Sequence, residues 1–297
     1  MTEPILSQRV HILPLGYEYE RAIAAMMSVH AVDKALLVIS MLNPDPAFVR
    51  RQETYTNKVR ETLEQRGVTV SVVDTGIFRP SLYIRDLTRI VKAEKEAGNE
   101  VFINTSSSGK LVAMASHMVG IAQEAVCYYI YADQYPDGRE EQQEHGLSCC
   151  DMAKQRMLIL PKFRIVMPKP EEALLLECLY VSREHGHEWV RPADTAAFPE
   201  KYLWNPPEYL PRKRQYRHTY ASEAEQEAAE TARLQRISFL SKFRTTFGRV
   251  LTARDQIERD PDATRYRLTE NGENILFLHG LSERVKYVEG KLVHVGK

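Results

Sequence analysis

The residues with the most chemistry per unit length are Asn104-Thr105-Ser106-Ser107-Ser108-Gly109-Lys110. They follow the apolar run Val101-Phe102-Ile103 and precede Leu111-Val112-Ala113-Met114-Ala115. A short apolar run followed by small and apolar residues predicts a buried strand, a turn and a helix. Free backbone N–H groups at a helix N-terminus, on the positive end of its dipole, bind anions. The hydroxyls add donors, and Lys110 adds a mobile charge. The stretch is not a P-loop. That motif needs glycine where Asn104 stands and Ser or Thr where Leu111 stands. The bland alternative is a polar turn that caps a helix and does nothing more.

The elements that must position this turn are legible in order. Arg9 to Leu15 predicts a first strand, followed by Gly16-Tyr17-Glu18-Tyr19 and a helix from Ala22 to Met27. Ala35 to Ile39 predicts a second strand and Ala47 to Arg66 a long helix. Val68 to Val73 predicts a third strand, Pro80 to Ala97 a helix, and Val126 to Tyr131 a fifth strand after the helix that follows the turn. Met157 to Leu160 and Arg164 to Met167 predict a final strand or hairpin. Val-, Ile- and Leu-rich strands alternating with helices imply a parallel sheet covered on both faces. The fold class expected is α/β, a doubly wound, mostly parallel Rossmann-like sheet. In the order 3-2-1-4-5, the switch point lies between strands one and four, where such folds bind ligands. Gly16-Tyr17 and the serine turn would therefore meet in one crevice. No G-x-G-x-x-G follows strand one, which argues against NAD.

Composition narrows the classes further. Lys and Arg number 40 and Asp and Glu 40, so net charge supports neither nucleic-acid nor membrane binding, and either would need a local patch. The first residues lack the pattern of a signal peptide, and no uncharged apolar run approaches a membrane span, so a cytoplasmic protein with no membrane partner is expected. Cys127, Cys149, Cys150 and Cys178 show no CxxC spacing and read as reduced thiols. No metal site, cofactor or catalytic residue is expected.

Pro168-Lys169-Pro170 reads as a linker between residues 1–167, the domain that holds the expected ligand crevice, and residues 168–297, a second domain. Glu171 to Glu184 predicts an amphipathic helix, and 187–221 an irregular insert. A Ser222 cap with Glu225 predicts a long helix that places Leu240, Phe243 and Phe247 on one face. A turn at Asp260-Pro261-Asp262 into Arg265-Tyr266-Arg267-Leu268-Thr269 and a helix from Glu273 to Leu278 complete a pattern that matches a winged helix-turn-helix, and Val285 to Val295 predicts a terminal hairpin turning at Glu289-Gly290. From Arg233 to Arg267 there are nine basic residues against four acidic ones. Such a stripe suits a phosphate backbone. The basic candidates for DNA contact are Arg212, Lys213, Arg214, Arg217, Arg233, Arg236, Lys242, Arg244, Arg249, Arg265 and Arg267. Arg265 and Arg267, two apart in an expected strand, would project together as a wing edge.

With "HILPLGYEYERA" at strand one, "NTSSSGKL" at strand four and a trailing winged helix, the chain resembles the CRISPR-associated Rossmann fold (CARF) regulators of archaea. Asn104, Ser106, Gly109 and Lys110 fall on recognisable positions of that family's second motif, with serines at 107 and 108 in place of its usual residues. The resemblance implies a two-fold homodimer that binds a cyclic oligoadenylate, cyclic tetra-adenylate foremost, across the symmetry axis. It implies that Gly16, Tyr17, Glu18, Tyr19, Ser106, Ser107, Ser108, Gly109 and Lys110 of both subunits line the pocket. Three functions follow: a transcription regulator on double-stranded DNA, a metal-independent ring nuclease, or a nucleotide-responsive protein adaptor.

Overall fold

A computed structural model describes residues 7–28, 32–41, 45–136, 138, 142, 146–150, 156–163, 165–195, 224, 225, 227, 229, 230, 233, 243–262 and 264–295. The chain divides into two compact units. Met1–Met167 with Phe277–Gly280 form the first, and Pro168–Leu276 with Leu281–Lys297 the second.

The first unit is an α/β layer structure. Its strands are β1 (Arg9–Pro14), β2 (Lys34–Ile39), β3 (Thr69–Asp74), β4 (Glu100–Asn104), β5 (Val126–Ile130) and β6 (Met157–Ile159), arranged β3-β2-β1-β4-β5-β6. The pairs among β1 to β5 are parallel, in registers such as Ile12 opposite Leu36 and Val10 opposite Val101. Four helices cross over between them: α1 (Tyr19–Ser28), α2 (Pro46–Glu64), α3 (Pro80–Glu96) and α4 (Lys110–Ala122). The central strands are buried almost end to end, because helices cover both faces of the sheet.

Local signals set the helix ends. Asp45 caps α2 by accepting the Ala47 N–H at 2.9 Å, and Pro46 and Pro80 open α2 and α3, where a missing N–H costs nothing. Gln52, Thr56, Val59 and Leu63 form the buried stripe of α2. One core gathers Leu13, Leu15, Ala22, Ile23, Leu37, Ile39, Val59 and Leu63. Another packs Phe102, Tyr128 and Ile130 with Ala24 and Cys150. The expected closing element is corrected in one respect. β6 pairs antiparallel with β5, Tyr128 opposite Ile159, and the described residues 165–167 form no second strand. Pro161 has no N–H to extend the ladder past Leu160. Arg164 lies outside the described residues.

In the second unit α5 (Pro170–Glu184) begins with the Glu172 carboxylate accepting the Lys169 backbone N–H at 3.0 Å. A short α6 (Pro192–Thr195) follows. A π-helical turn, Phe243–Gly248, runs into α7 (Arg249–Ala253), then β7 (Ile257–Arg259), β8 (Tyr266–Leu268), α8 (Glu270–His279), β9 (Val285–Val288) and β10 (Lys291–His294). β7 pairs with β8 and β9 with β10, both antiparallel, and the second hairpin turns at Glu289 and Gly290. Leu175, Leu176, Leu179, Val190, Phe243, Phe247, Leu251, Ile257, Tyr266, Leu268 and Leu276 make one core. Phe243 and Phe247 thus share a buried face as expected, although the backbone there is π-helical. Ser222 and Leu240, and residues 196–221 of the insert, lie outside the described residues.

Candidate ligand site at the ends of the first and fourth strands

From β1 the chain winds outward through β2 to β3, and from β4 the other way to β5. The reversal leaves the carboxyl ends of β1 and β4 side by side, and the turns that leave them are hydrogen-bonded to each other. The Gly16 N–H donates to the Ser107 carbonyl at 2.6 Å, and the Ser107 hydroxyl donates to the Pro14 carbonyl at 2.9 Å. A Cβ on residue 16 would stand 3.1 Å from the Ser107 oxygen, so glycine permits this approach.

The serine turn divides by role. Asn104, fully buried, donates from Nδ2 to the Arg21 carbonyl at 2.9 Å and accepts the Ser106 N–H at 2.8 Å and the Ser106 hydroxyl through Oδ1. Thr105 donates its N–H and its hydroxyl to the Tyr128 carbonyl, each at 2.9 Å. Asn104, Thr105, Ser106 and Ser107 therefore shape the turn, and the side chains of all four are committed to the protein. Ser108, Gly109 and Lys110 are different. The Ser108 hydroxyl oxygen is buried and has no hydrogen-bond partner among the described residues. Gly109 caps α4 in an extended conformation with no side-chain cap, leaving first-turn N–H groups for an anion. Lys110 is exposed at the first helical position.

The Gly16–Tyr19 segment is also divided. Tyr19 turns towards α2: its hydroxyl lies 2.7 Å from that of Thr62, and the Lys58 ammonium stands 4.1 Å from its ring centre. Glu18 accepts the Ser148 hydroxyl and stands 3.5 Å from the Arg21 guanidinium. Arg21 also donates to the Ile130 carbonyl at 2.9 Å and covers the Tyr129 ring. A strap of residues 146–150 runs along the segment. The Leu147 N–H donates to the Tyr17 carbonyl at 2.9 Å, and the Cys150 N–H to the Glu20 carboxylate at 2.6 Å. Gly146 has φ +91°, and a Cβ there would lie 2.6 Å from both Tyr17 O and Tyr19 N. Within this segment the side chains of Glu18 and Tyr19 are thus engaged by Ser148, Arg21, Thr62 and Lys58.

His11 is fully buried within β1, 3.0 Å through Nδ1 from the Tyr128 hydroxyl and stacked on Phe102 at 4.8 Å between ring centres. Burial pushes the Tyr128 hydroxyl well up, so it stays protonated. It likewise pushes the thiols of Cys127 and Cys150 up to about 12, which makes them poor nucleophiles. All four cysteines are free thiols. Among the described residues no cluster of His, Cys, Asp and Glu could hold a metal ion, and no helix is long and apolar enough to cross a membrane.

Residues 9–135 match a family model described as "HFX_2341_N:-like, N-terminal". No curated protein matches the chain. Among solved structures the chain is similar to protein VC1899 from Vibrio cholerae, at 12% identity and TM-score 0.37, with 92% of this chain and 64% of that one covered. It is similar to Can2 from Sulfobacillus thermosulfidooxidans in complex with cyclic tetra-adenylate, at 10% identity and TM-score 0.37, with the same coverage. It is also similar to Enterococcus italicus Csm6 bound to cyclic hexa-2'-fluoro-hexa-dAMP, at 11% identity and TM-score 0.39, covering 66% of this chain and 50% of that one. The chain spans between half and just under two thirds of the length of these solved chains.

In the second unit the basic candidates separate. Arg212, Lys213, Arg214, Arg217, Arg236 and Lys242 lie outside the described residues, as does the side chain of Arg244. Arg233 and Arg249 are exposed on helical backbone. Arg265 is exposed and sits just before β8, which begins at Tyr266. Arg267, within β8, is held 2.6 Å from both the Glu258 and Glu188 carboxylates and lies over the Trp189 ring at 4.9 Å.

Sequence reading passed over two features of the first unit. One is the strap, which pairs with residues some 130 positions earlier and carries no local signal. The other is a group of aromatic rings beside Tyr17. Phe48, Arg51 and Tyr55 share the i, i+3, i+7 face of α2, and that spacing was the available clue.

Proposed function

We propose that the chain is a homodimeric sensor of a cyclic oligoadenylate that acts on double-stranded DNA through its second unit. The single observation that carries the reading is the joined exit of β1 and β4. There the unpartnered Ser108 hydroxyl, the uncapped start of α4 and the exposed Lys110 converge on a topological switch point. Such a group of donors suits phosphate oxygens, and a cyclic oligonucleotide presents them in a ring. The motif resemblance supports adenylate as its chemistry, with the tetra-adenylate as the first ligand to test.

A dimer finds support on α4. Leu111, Met114 and Met118 are 68%, 64% and 40% exposed and lie on one helical face, directly after the serine turn. Phe163 and Val166 are exposed in the segment after β6, which is tied to α4 where His117 Nε2 meets the Pro161 carbonyl at 3.0 Å. A two-fold partner seated on α4 would bring two serine turns towards one ring-shaped ligand. Binding is favoured over cleavage because His11, the histidine nearest the crevice in sequence, is buried within β1 and engaged there. For the second unit, the exposed Arg233, Arg249 and Arg265 support phosphate contact.

The reading is tested by calorimetry with cyclic tetra- and hexa-adenylate, followed by DNA binding over a salt series with and without the ring that binds. A chain that binds neither ring would sink the sensor. DNA affinity that does not depend on salt would move the second unit to a protein-binding role.

A further inference from the structure

Beside the serine turn, the first unit carries a cluster of aromatic rings. Tyr17 follows Gly16 directly. Its ring lies 6.0 Å from that of Phe48 at 60° and 5.3 Å from that of Tyr55 at 46°. Phe48 in turn meets Phe78 at 5.4 Å and 66°. The Arg51 guanidinium stands 5.2 Å from the Tyr17 ring centre. These residues come from the exits of β1 and β3 and the first three turns of α2 near the exit of β2, all at the carboxyl end of the sheet that holds the serine turn.

Three properties distinguish the cluster from core. Phe78 is 57% exposed and packs its ring against that of Phe48, so exposed apolar surface is gathered beside other rings rather than scattered singly. No pair in the chain Tyr55–Tyr17–Phe48–Phe78 is parallel, so these contacts leave ring faces unstacked. Phe78 is held on a tight turn between β3 and α3, where the Ile77 N–H donates to Thr75 O and the Arg79 N–H to Gly76 O, each at 2.8 Å, with Ile77 buried beneath. A preformed platform of this kind loses little entropy when a planar ligand settles on it. Arg51, beside Tyr17, and Arg79, next to Phe78 in the chain, are both exposed.

We propose that Tyr17, Phe48 and Phe78, with Arg51, form a nucleobase-stacking subsite that receives a base of the ligand whose phosphates meet Ser108–Lys110. Aromatic faces stack on bases of any identity, and an adjacent guanidinium adds attraction both to the π-system and to a phosphate. The inference rests on the sensor reading above and adds residues to it. It assigns the phosphate contacts to the β4–α4 side of the crevice and base contacts to the β1–α2–β3 side, joined through Gly16 and Tyr17.

The test uses the full chain and two probes, cyclic tetra-adenylate and adenosine 5'-monophosphate, titrated by calorimetry. Phe78→Ala should weaken cyclic tetra-adenylate about tenfold or more, within the range for loss of one stacked base. Phe78→Leu, which keeps apolar bulk and loses the π-face, should weaken it to a similar extent, and Phe78→Trp should retain or improve binding. Arg51→Ala should cost several-fold. Because Phe78 is mostly exposed, each variant should melt close to the parent temperature. Wild-type binding of the ring with equal affinity in Phe78→Ala and Phe78→Leu would overturn the subsite and leave the sensor reading standing. Failure of the ring to bind wild type, with the monophosphate still bound in a Phe78-dependent way, would overturn the sensor and support the subsite. Binding of neither probe overturns both.

Discussion

The Gly16 N–H and the Ser107 carbonyl, 91 residues apart, share a hydrogen bond of 2.6 Å. It fixes the first turn against the second, so the distance from Tyr17 to Ser108 is a property of the folded sheet and not of two independent loops. Replacing Gly16 tests this coupling. A Cβ would meet backbone on the other side, 3.1 Å from Ser107 O and 3.4 Å from Ser108 Cα, and the turns must part by a few tenths of an ångström. Gly16→Ala should lower the melting temperature only by about 2–4 °C, the shift for about 1 kcal/mol in a domain of this size. It should weaken cyclic tetra-adenylate about tenfold. An equal loss in stability and none in binding would show that the coupling does not serve the ligand.

Lys110 offers the complementary case, an exposed cation at the start of α4 with no ion pair among the described residues. Lys110→Ala should leave the melting temperature unchanged and weaken the ring by about 1.5–3 kcal/mol, the range for a hydrogen bond to a charged group. Unchanged affinity in calorimetry would remove Lys110 from the site.

What the sequence made legible follows a physical rule. Strands and their exits were readable because apolar runs end at Gly, Pro or clustered hydroxyls, signals that act within a few residues. Parallel crossovers implied a doubly wound sheet, and the order taken for it, 3-2-1-4-5, is the one the fold adopts, with β6 added beside β5. The roles of single residues were not readable where the deciding partner is distant. Asn104 has the composition of a ligand contact, yet its amide is spent on the Arg21 carbonyl and the Ser106 N–H. Glu18 has the same composition and is spent on Ser148 and Arg21. Among the described ring contacts Phe78 reaches Tyr17 through Phe48, thirty positions away and on another element.

The strap predicts a sharp stability defect. Gly146 combines φ +91° with a would-be Cβ at 2.6 Å from two backbone atoms of the 17–19 segment. A left-handed conformation costs a non-glycine residue about 1–2 kcal/mol before any clash is counted. Gly146→Ala should therefore destabilise the first unit by roughly 2 kcal/mol or more, read in denaturant melts. Ser148→Ala should cost far less, because Glu18 keeps Arg21 as a partner. Similar small effects from both would mean that the strap is not held against Tyr17 in solution.

Cys127 and Cys150 predict a pH-dependent signature. Burial raises both thiols to about 12, so the folded state favours the neutral form. The unfolded thiols titrate near about 8.5. The stabilisation from keeping them neutral is complete below that pH and is lost as pH climbs towards the folded values. Native protein at pH 8 should resist iodoacetamide at both positions, as read by peptide mass mapping, and react at both in denaturant. Native labelling at either as fast as in the unfolded chain would contradict the burial.

Dimerisation through α4 is tested at Met114, the centre of the exposed stripe. Burying a methionine is worth about 1.5–3 kcal/mol, and a carboxylate in its place loses that and adds a desolvation cost. Wild type should sediment as a dimer at micromolar concentration. Met114→Asp should sediment as a monomer with an unchanged circular dichroism spectrum. A wild-type monomer, with and without cyclic tetra-adenylate, would count against any shared pocket.

The two arginines of the second unit separate the last prediction from the pattern that sequence spacing suggests. Spacing places Arg265 and Arg267 together on a wing edge, and both would then meet phosphates. In the fold, β8 starts at Tyr266, so Arg265 lies outside the strand and is exposed. Arg267 is drawn between Glu258 and Glu188, each at 2.6 Å, and lies over Trp189; the Glu258 hydrogen bond, then that from Glu188, raises its pKa further. A phosphate contact by Arg267 would require it to leave two carboxylates, and those carboxylates would repel the same phosphate. Surface ion pairs contribute little to stability, so the pairing orients Arg267 more than it stabilises the fold. Each phosphate contact contributes about one unit to the slope of log affinity against log salt. Arg265→Ala should reduce the magnitude of that slope by about one, equally on specific and random duplexes. Arg267→Ala should leave it nearly unchanged, and the double variant should match Arg265→Ala. A fall of about two in the double variant would show that DNA recruits Arg267 away from Glu258 and Glu188. The parent slope in all three would show that this edge does not touch the backbone.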